Sequence, residues 1–192
     1  MKRRIFVLTT AAAAGLTAAG CSMTTGSGKS SETDASKRQE IDAAVDGTLK
    51  RLFGMVGGSQ ELVSKAQGVL VFPSVVKAAF IAGAAYGEGA LRVGGATVGY
   101  YSTAAASFGF QAGAQSTAVI FLFMTQDSLN NFRSSAGWSV GGDVAVSIVK
   151  VGANGSIDTR TATAPVEVIV MTNTGLMADA SLAGTKVTKL NL

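Results

Sequence analysis

The chain has 192 residues, of which 47% are hydrophobic and 15% charged, so it carries enough apolar material for a folded domain with its own core. It contains no histidine, which excludes the commonest general base, the usual serine and cysteine triads and histidine-ligated metal sites. The net charge of +4 depends on three cations at residues 2–4, and without them 13 Lys and Arg face 12 Asp and Glu. No dense basic cluster remains, so we expect no nucleic-acid partner.

The N-terminus has the layout of a secretory signal peptide. Residues 5–19 are apolar or small and follow directly on the cations, but the run is shorter than the ~20 residues of a transmembrane helix. It ends in Leu16-Thr-Ala-Ala-Gly-Cys21, which resembles a bacterial lipobox with Ala18 where leucine is usual. We therefore expect residues 1–20 to be a lipoprotein signal peptide and Cys21, the only cysteine, to be acylated and membrane-bound. The alternative is an ordinary signal peptide whose removal leaves a free thiol.

The residues after Cys21 are polar and small as far as Ala35. Such a composition predicts a flexible tether over residues 21–35 and a single domain over residues 36–192. Ser22 follows the cysteine in place of the aspartate that retains lipoproteins in the inner membrane of many Gram-negative bacteria. We therefore expect a lipid-anchored protein of the bacterial cell envelope, in the outer membrane.

Two helices are predicted at the start of the domain. Ser36 and Gln39 have the spacing of a capping box, and apolar residues recur at helical intervals over residues 41–53. Asp46 and Lys50 have the spacing of a stabilising ion pair within this helix. Its apolar stripe could lie on a membrane, but the mixed charges of its polar face favour packing against the domain. A second, short helix is predicted from Ser59 to about Ala66.

From Gly68 onward the pattern becomes that of β-strands. A short strand over residues 69–72 is closed by Pro73, and the apolar run Ala118 to Met124 predicts a central strand buried on both faces. Thr125 caps a short helix that continues to about Phe132. Further strands are predicted at 78–86, 91–93, 97–102, 106–113, 138–148, 166–171, 176–182 and 186–190, with a hairpin turn at Asn154-Gly155.

These elements predict an α+β fold. Its core is a curved, largely antiparallel β-sheet or barrel-like structure, with an N-terminal helix and short helices. The frequent glycines fit the bends and bulges of such a sheet. The acidic residues past Gly68 are few and scattered, and no Gly-x-Ser-x-Gly elbow occurs, so we expect neither catalysis nor a cofactor or metal.

Four segments resemble, in the right order, the signature of the SYLF-domain family: AQGVLVFP at 66–73, SFGFQAGAQ at 107–115, VIFLFMT at 119–125 and GWSVGGDVAV at 137–146. The resemblance covers residues 49–192. Many members carry Trp-x-x-Pro where this chain has Thr97-Val-Gly-Tyr-Tyr-Ser102, so a role tied to that tryptophan does not carry over.

The resemblance implies a lipid-binding module. Eukaryotic members bind phospholipids, with a preference for phosphoinositides, and some yeast members also bind actin, whereas bacterial members are typically exported or lipid-anchored. For this chain it implies binding of anionic phospholipid, with Lys50, Arg51, Lys65 and Lys77 as candidate headgroup contacts. For each of the four, the alternative is a solvated surface charge without a headgroup role. The alternative function is an envelope structural or interaction lipoprotein that binds a protein partner and recognises no headgroup.

Overall fold

The computed structural model describes residues 27–77, 85–105, 116–150, 152, 155–157, 163–172, 175–177 and 181–192. The signal segment, Cys21 and the strand predicted at 106–113 lie outside these residues. The helices are α1 (Ser27–Met55), α2 (Ser59–Lys65) and α3 (Gln126–Ser134). The strands are β1 (Gly68–Lys77), β2 (Ala85–Val93), β3 (Ala96–Ala105), β4 (Thr117–Phe123), β5 (Trp138–Ser139), β6 (Ser147–Ile148), β7 (Val166–Met171) and β8 (Lys186–Leu190).

The strands form one strongly curved sheet, a half-barrel in the order β5-β8-β3-β2-β1-β4-β7-β6. Neighbouring strands run antiparallel, except that β6 and β7 are parallel. The predicted fold class is therefore confirmed.

Both faces of the sheet are covered at its centre. The seven residues of β4 are all buried, and successive side chains of a strand point to opposite faces. Val119, Phe121 and Phe123 pack with α3 on one face, and Ala118, Ile120 and Leu122 pack with α1 and α2 on the other. The apolar run from Ala118 to Phe123 is thus confirmed as a strand buried on both faces, and the buried Thr117 precedes it.

Helix α1 is longer than its sequence pattern predicts. It begins at Ser27, so residues 27–35, predicted as tether, are helical, while residues 21–26 lie outside the described part of the chain. Ser36 lies inside the helix, and its hydroxyl donates to the carbonyl of Thr33 instead of capping an N-terminus. No proline interrupts this segment, so a helix held further along can propagate backward through it.

The apolar stripe of α1 packs against the sheet. Ile41, Val45 and Leu52 are buried together with Leu62 of α2, which confirms the packing of this helix against the domain. In the described residues, no helix combines the length and the apolar character that crossing a bilayer requires.

Two strand predictions need correction. The first strand does not close at Pro73 but continues to Lys77, with a register shift against both neighbouring strands at the proline. Proline has no N–H to donate, and a bulge accommodates it without the loss of a ladder hydrogen bond. The strand predicted at 138–148 is two short strands, because a turn with Gly141 at φ 87° separates β5 from β6.

The strands and the turn predicted after residue 150 are confirmed to different extents. Strands β7 and β8 have their predicted bounds. Of the strand predicted at 176–182, the described residues show a single bridge, from Leu176 to Met171. At the predicted hairpin turn, Gly155 has the positive φ of 74° that such turns need, while Asn154 lies outside the described residues.

Candidate functional site

Lys50 and Arg51 lie near the C-terminal end of α1. Both side chains are exposed, and neither makes an ion pair or hydrogen bond with any described residue. The predicted pair between Asp46 and Lys50 does not form, because Asp46 instead binds Arg92 of β2 at 2.7 Å. Within the described part of the chain, the tertiary contact of Asp46 therefore leaves Lys50 without a counter-ion.

The other two candidate cations differ from this pair. Lys65, at the end of α2, forms an exposed ion pair with Glu61, which lies one helical turn earlier. The nitrogen and oxygen are 2.7 Å apart. Lys77 ends β1, and its side chain lies outside the described part of the structure. Because β1 starts just after α2 and rises ~3.3 Å per residue, Lys77 lies roughly 30 Å from the α2 end of that strand. Lys50 and Arg51 thus lie near the end of α1 and Lys65 at the end of α2, a region that we call the α1–α2 corner, whereas Lys77 lies at the far end of β1.

Apolar surface accompanies the cations at this corner. Met55, the last residue of α1, is 41% exposed and lies one turn beyond Arg51 on the same side of the helix. An apolar cleft of about 350 Å³ opens between the two helices and the β2–β3 turn, with Leu49, Val63 and Val69 in its wall. The corner therefore combines positive charge with exposed apolar groups.

A polar cluster, which we call the clasp, holds α1 against β2 and β3. The carboxylate of Asp42 accepts hydrogen bonds from the Thr97 hydroxyl at 2.7 Å and the Tyr100 hydroxyl at 2.8 Å. Arg92 lies 3.4 Å from Asp42 and binds Asp46 more closely. Burial, followed by the hydrogen bond to Asp42, raises the pKa of the Tyr100 hydroxyl. The clasp fixes which face of α1 remains exposed.

A second set of contacts holds α1 further toward its N-terminus. Lys37 donates to Glu88 of β2 at 2.8 Å, and the Tyr86 hydroxyl donates to the same carboxylate oxygen at 2.8 Å. Burial raises the pKa of Tyr86 to about 12, and the hydrogen bond to Glu88 acts in the same direction. Burial opposes ionisation of Glu88, but the hydrogen bonds from Lys37 and Tyr86 outweigh it and lower the pKa of that carboxyl.

Sequence reasoning missed both sets of contacts. Asp42 and Arg92 are 50 residues apart, and no local spacing links them. The sequence carries only a weak signal for these contacts, namely the charged residues in β2, whose other side chains are mostly small or apolar. Within the described residues, no group of three or more Asp, Glu, His or Cys side chains is placed to hold a metal ion.

Tyr100 and Tyr101, which are consecutive on β3, have different roles. Tyr100 belongs to the clasp, whereas Tyr101 points to the other face of the sheet. There its ring packs 4.9 Å from that of Phe132 of α3. Burial raises the pKa of Tyr101 as well. One tyrosine therefore holds α1 and the other anchors α3.

Comparison with protein families adds one match. The model of the family Ysc84, Las17-binding protein actin regulator, matches residues 104–191, from the end of β3 through β8. The resemblance to the SYLF-domain family found in the sequence is thereby confirmed over these residues. No curated protein matches it. All four candidate cations precede the matched residues, so the family match does not reach them.

Proposed function

We propose that this chain is a cell-envelope lipoprotein, anchored in the outer membrane through Cys21, whose SYLF domain binds anionic phospholipid without catalysis. The match of residues 104–191 to the SYLF family model supports a lipid-binding type of domain. The lipobox-like ending of the signal segment supports the anchor.

The observation that carries the proposal is a pair of exposed cations, Lys50 and Arg51, that have no counter-ion among the described residues. A cation held near an anionic membrane surface contributes ~1 kcal/mol, so the two together supply ~2 kcal/mol. Lys65 contributes less, since Glu61 already neutralises it. Met55, one turn beyond Arg51, adds an apolar group that can enter the headgroup region.

The length of α1 limits how the Cys21 anchor and the cations Lys50 and Arg51 can contact the same membrane. Its 29 residues extend for ~43 Å, and residues 21–26 can reach no further than ~20 Å beyond its N-terminus. The cations lie at the opposite end from the anchor. Both can therefore touch the same bilayer only when α1 lies along the membrane surface.

The exposed side of the C-terminal half of α1 suits that orientation. Between residues 43 and 55 the only acid is Asp46, which the clasp binds. Small, basic or apolar exposed residues recur three or four positions apart: Ala43, Ala44, Gly47, Lys50, Arg51, Gly54 and Met55. Small side chains let the helix approach the surface closely while the cations reach the headgroups.

Vesicle co-sedimentation tests the headgroup contacts. The unlipidated chain from residue 22 onward is mixed with neutral or anionic liposomes at low and moderate salt. We expect selective pelleting with anionic vesicles that salt weakens. The double variant Lys50→Glu/Arg51→Glu should bind at least roughly 30-fold more weakly, the equivalent of ~2 kcal/mol.

The matched control is Lys150→Glu/Lys189→Glu, which changes the net charge equally through two exposed cations elsewhere. Equal losses in both double variants would reduce the effect to net charge and remove the assigned site. No pelleting at any salt would reject headgroup binding and favour the alternative, an envelope lipoprotein that binds a protein partner.

The anchor is tested separately. In a bacterial host that expresses the full chain, a labelled palmitate analogue should be incorporated into the protein and the protein should fractionate with membranes. Cys21→Ser should abolish both. Label that persists in this variant would contradict acylation at Cys21.

A further inference from the structure

The cleft at the α1–α2 corner is lined mainly by apolar side chains. Its volume of about 350 Å³ is within the ~300–1,000 Å³ of small-molecule sites. Four apolar residues contribute to the wall, from α1, the end of α2 and β1: Leu49, Val63, Ala66 and Val69. Two polar side chains of the lining are already paired, Asp46 with Arg92 and Ser64 with the carbonyl of Glu61 at 2.7 Å. The wall therefore suits hydrocarbon.

Arg92, which also lines the cleft, carries a donor that the fold leaves unused. Its Nη2 binds Asp46 at 2.7 Å and lies 3.4 Å from Asp42, and its Nη1 donates to the carbonyl of Gly95 at 3.5 Å. The remaining donor, Nε–H, is buried and has no hydrogen-bond partner within the part of the chain that the structure describes. Buried donors in folded proteins are nearly always paired, so this one calls for an acceptor oxygen.

The charges around Arg92 decide which kind of oxygen fits. Two carboxylates, from Asp42 and Asp46, already face its single positive charge, so a further anion at Nε would be repelled. Water satisfies such a donor only where it finds two or more polar partners, and the apolar wall offers few. A neutral carbonyl oxygen on an apolar ligand meets both conditions, because it accepts from Nε–H and adds no charge.

We propose that the cleft takes one ester-linked acyl chain of a membrane phospholipid, whose ester carbonyl oxygen accepts from Nε–H of Arg92. The inference rests on the proposed function, since it adds a site for the hydrocarbon part of the lipid to the headgroup contacts of Lys50 and Arg51. The cleft lies at the same corner as these cations and the exposed Met55. It has room for about ten methylene-sized groups, each close to the ~30 Å³ of a water molecule in the liquid.

NMR observes the proposed donor directly. In ¹H–¹⁵N spectra of the ¹⁵N-labelled chain from residue 22 onward, the Nε–H signal of Arg92 is identified by its loss in Arg92→Lys. Dihexanoylphosphatidylcholine is added below its micelle concentration. This lipid has no net charge, so its binding does not require an anionic headgroup. We expect a saturable shift of the Nε–H signal at roughly millimolar lipid.

Two analogues separate the parts of the lipid. The diether analogue has the same chains without ester carbonyls, and it should bind about fivefold or more weakly because one hydrogen bond is lost. Glycerophosphocholine has the same headgroup without chains and should give no shift. Equal binding of the diester and the diether, or an equal shift with glycerophosphocholine, would overturn the proposal.

A variant that fills the cleft tests its position. Ala66→Leu should weaken binding of the diester about fivefold or more, because the larger side chain occupies the space of the acyl chain. The extended backbone of Ala66, with φ −75° and ψ 137°, accommodates leucine. Ala136→Leu, at an exposed alanine outside the cleft lining, is the matched control and should bind like the unaltered chain. Equal losses in both variants would contradict the assigned cleft.

The acyl-chain site and the headgroup contacts fail separately. Pelleting with anionic vesicles, combined with no shift of the Nε–H signal, would overturn the acyl-chain site and leave the headgroup contacts supported. A saturable shift without pelleting would support the cleft and reject the headgroup contacts.

Discussion

Asp42 is predicted to hold α1 against the sheet. Its carboxylate accepts two short hydrogen bonds, from Thr97 and Tyr100, and neutralises Arg92. Hydrogen bonds to a charged group contribute about 1.5–3 kcal/mol each, and the 32% exposure of the Asp42 side chain places these two at the lower end. Replacement by alanine recovers about 0.5 kcal/mol of helix propensity. We therefore expect Asp42→Ala to lower the free energy of unfolding by about 2–3 kcal/mol.

Asp46→Ala is the matched control, because it removes an aspartate one turn away on the same helix that binds the same arginine. Its side chain is 68% exposed and has one partner, so the expected loss is below about 1 kcal/mol. Urea unfolding, followed by the fluorescence of the single tryptophan, measures both variants, with equal m-values as the condition for comparison.

A double-mutant cycle with Tyr100→Phe isolates the bond between Tyr100 and Asp42, and we expect a coupling of about 1 kcal/mol. If Asp42→Ala is no more destabilising than Asp46→Ala, the clasp does not stabilise the position of α1. The orientation proposed for the helix on a membrane would then lose its structural basis.

Two further predictions concern Tyr86 and the glycines. Because folding raises the pKa of Tyr86 from 10.0 to about 12, its contribution to stability is complete below pH 10 and is lost as the pH rises toward 12. Tyrosine ionisation is followed by absorbance as the pH is raised. The step at the highest pH should disappear in Tyr86→Phe and should move to lower pH in Glu88→Gln. An unchanged step in Glu88→Gln would contradict the hydrogen bond between Tyr86 and Glu88. Gly89→Ala should destabilise strongly, since a Cβ there would overlap a backbone carbonyl of β1, whereas Gly47→Ala on the open face of α1 should stabilise by about 0.5–1 kcal/mol. Urea midpoints of the two variants that shift in the same direction would contradict this assignment.

The predictions from sequence that succeeded rest on local chemistry. The hydroxyl of Thr125 caps α3 by accepting from the backbone N–H of Ser128 at 3.2 Å, as its position before a helical pattern indicates. The apolar run of β4 and the bounds of β7 and β8 follow from side-chain period and from flanking turns. Each of these signals is contained within about ten consecutive residues.

The predictions that failed involve choices between equally good local signals. Ser36 and Gln39 have the spacing of a capping box. The helix nevertheless extends back to Ser27, because no proline lies between Ser27 and Ser36. Pro73 is a sound strand terminator, yet a bulge accommodates it because β2 and β4 hold the strand on both sides. Neighbours distant in sequence decided the second case, whereas the absence of a helix-breaking residue decided the first.

The sequence by itself determined the kinds of elements, the curved α+β architecture, the family and the positions of the candidate cations. It could not say which cations remain free, since that depends on Asp46 choosing Arg92, 46 residues away, over the adjacent Lys50. Only the tertiary structure decides such contacts, because the fold fixes distances between side chains whose separation along the chain carries no periodic signal.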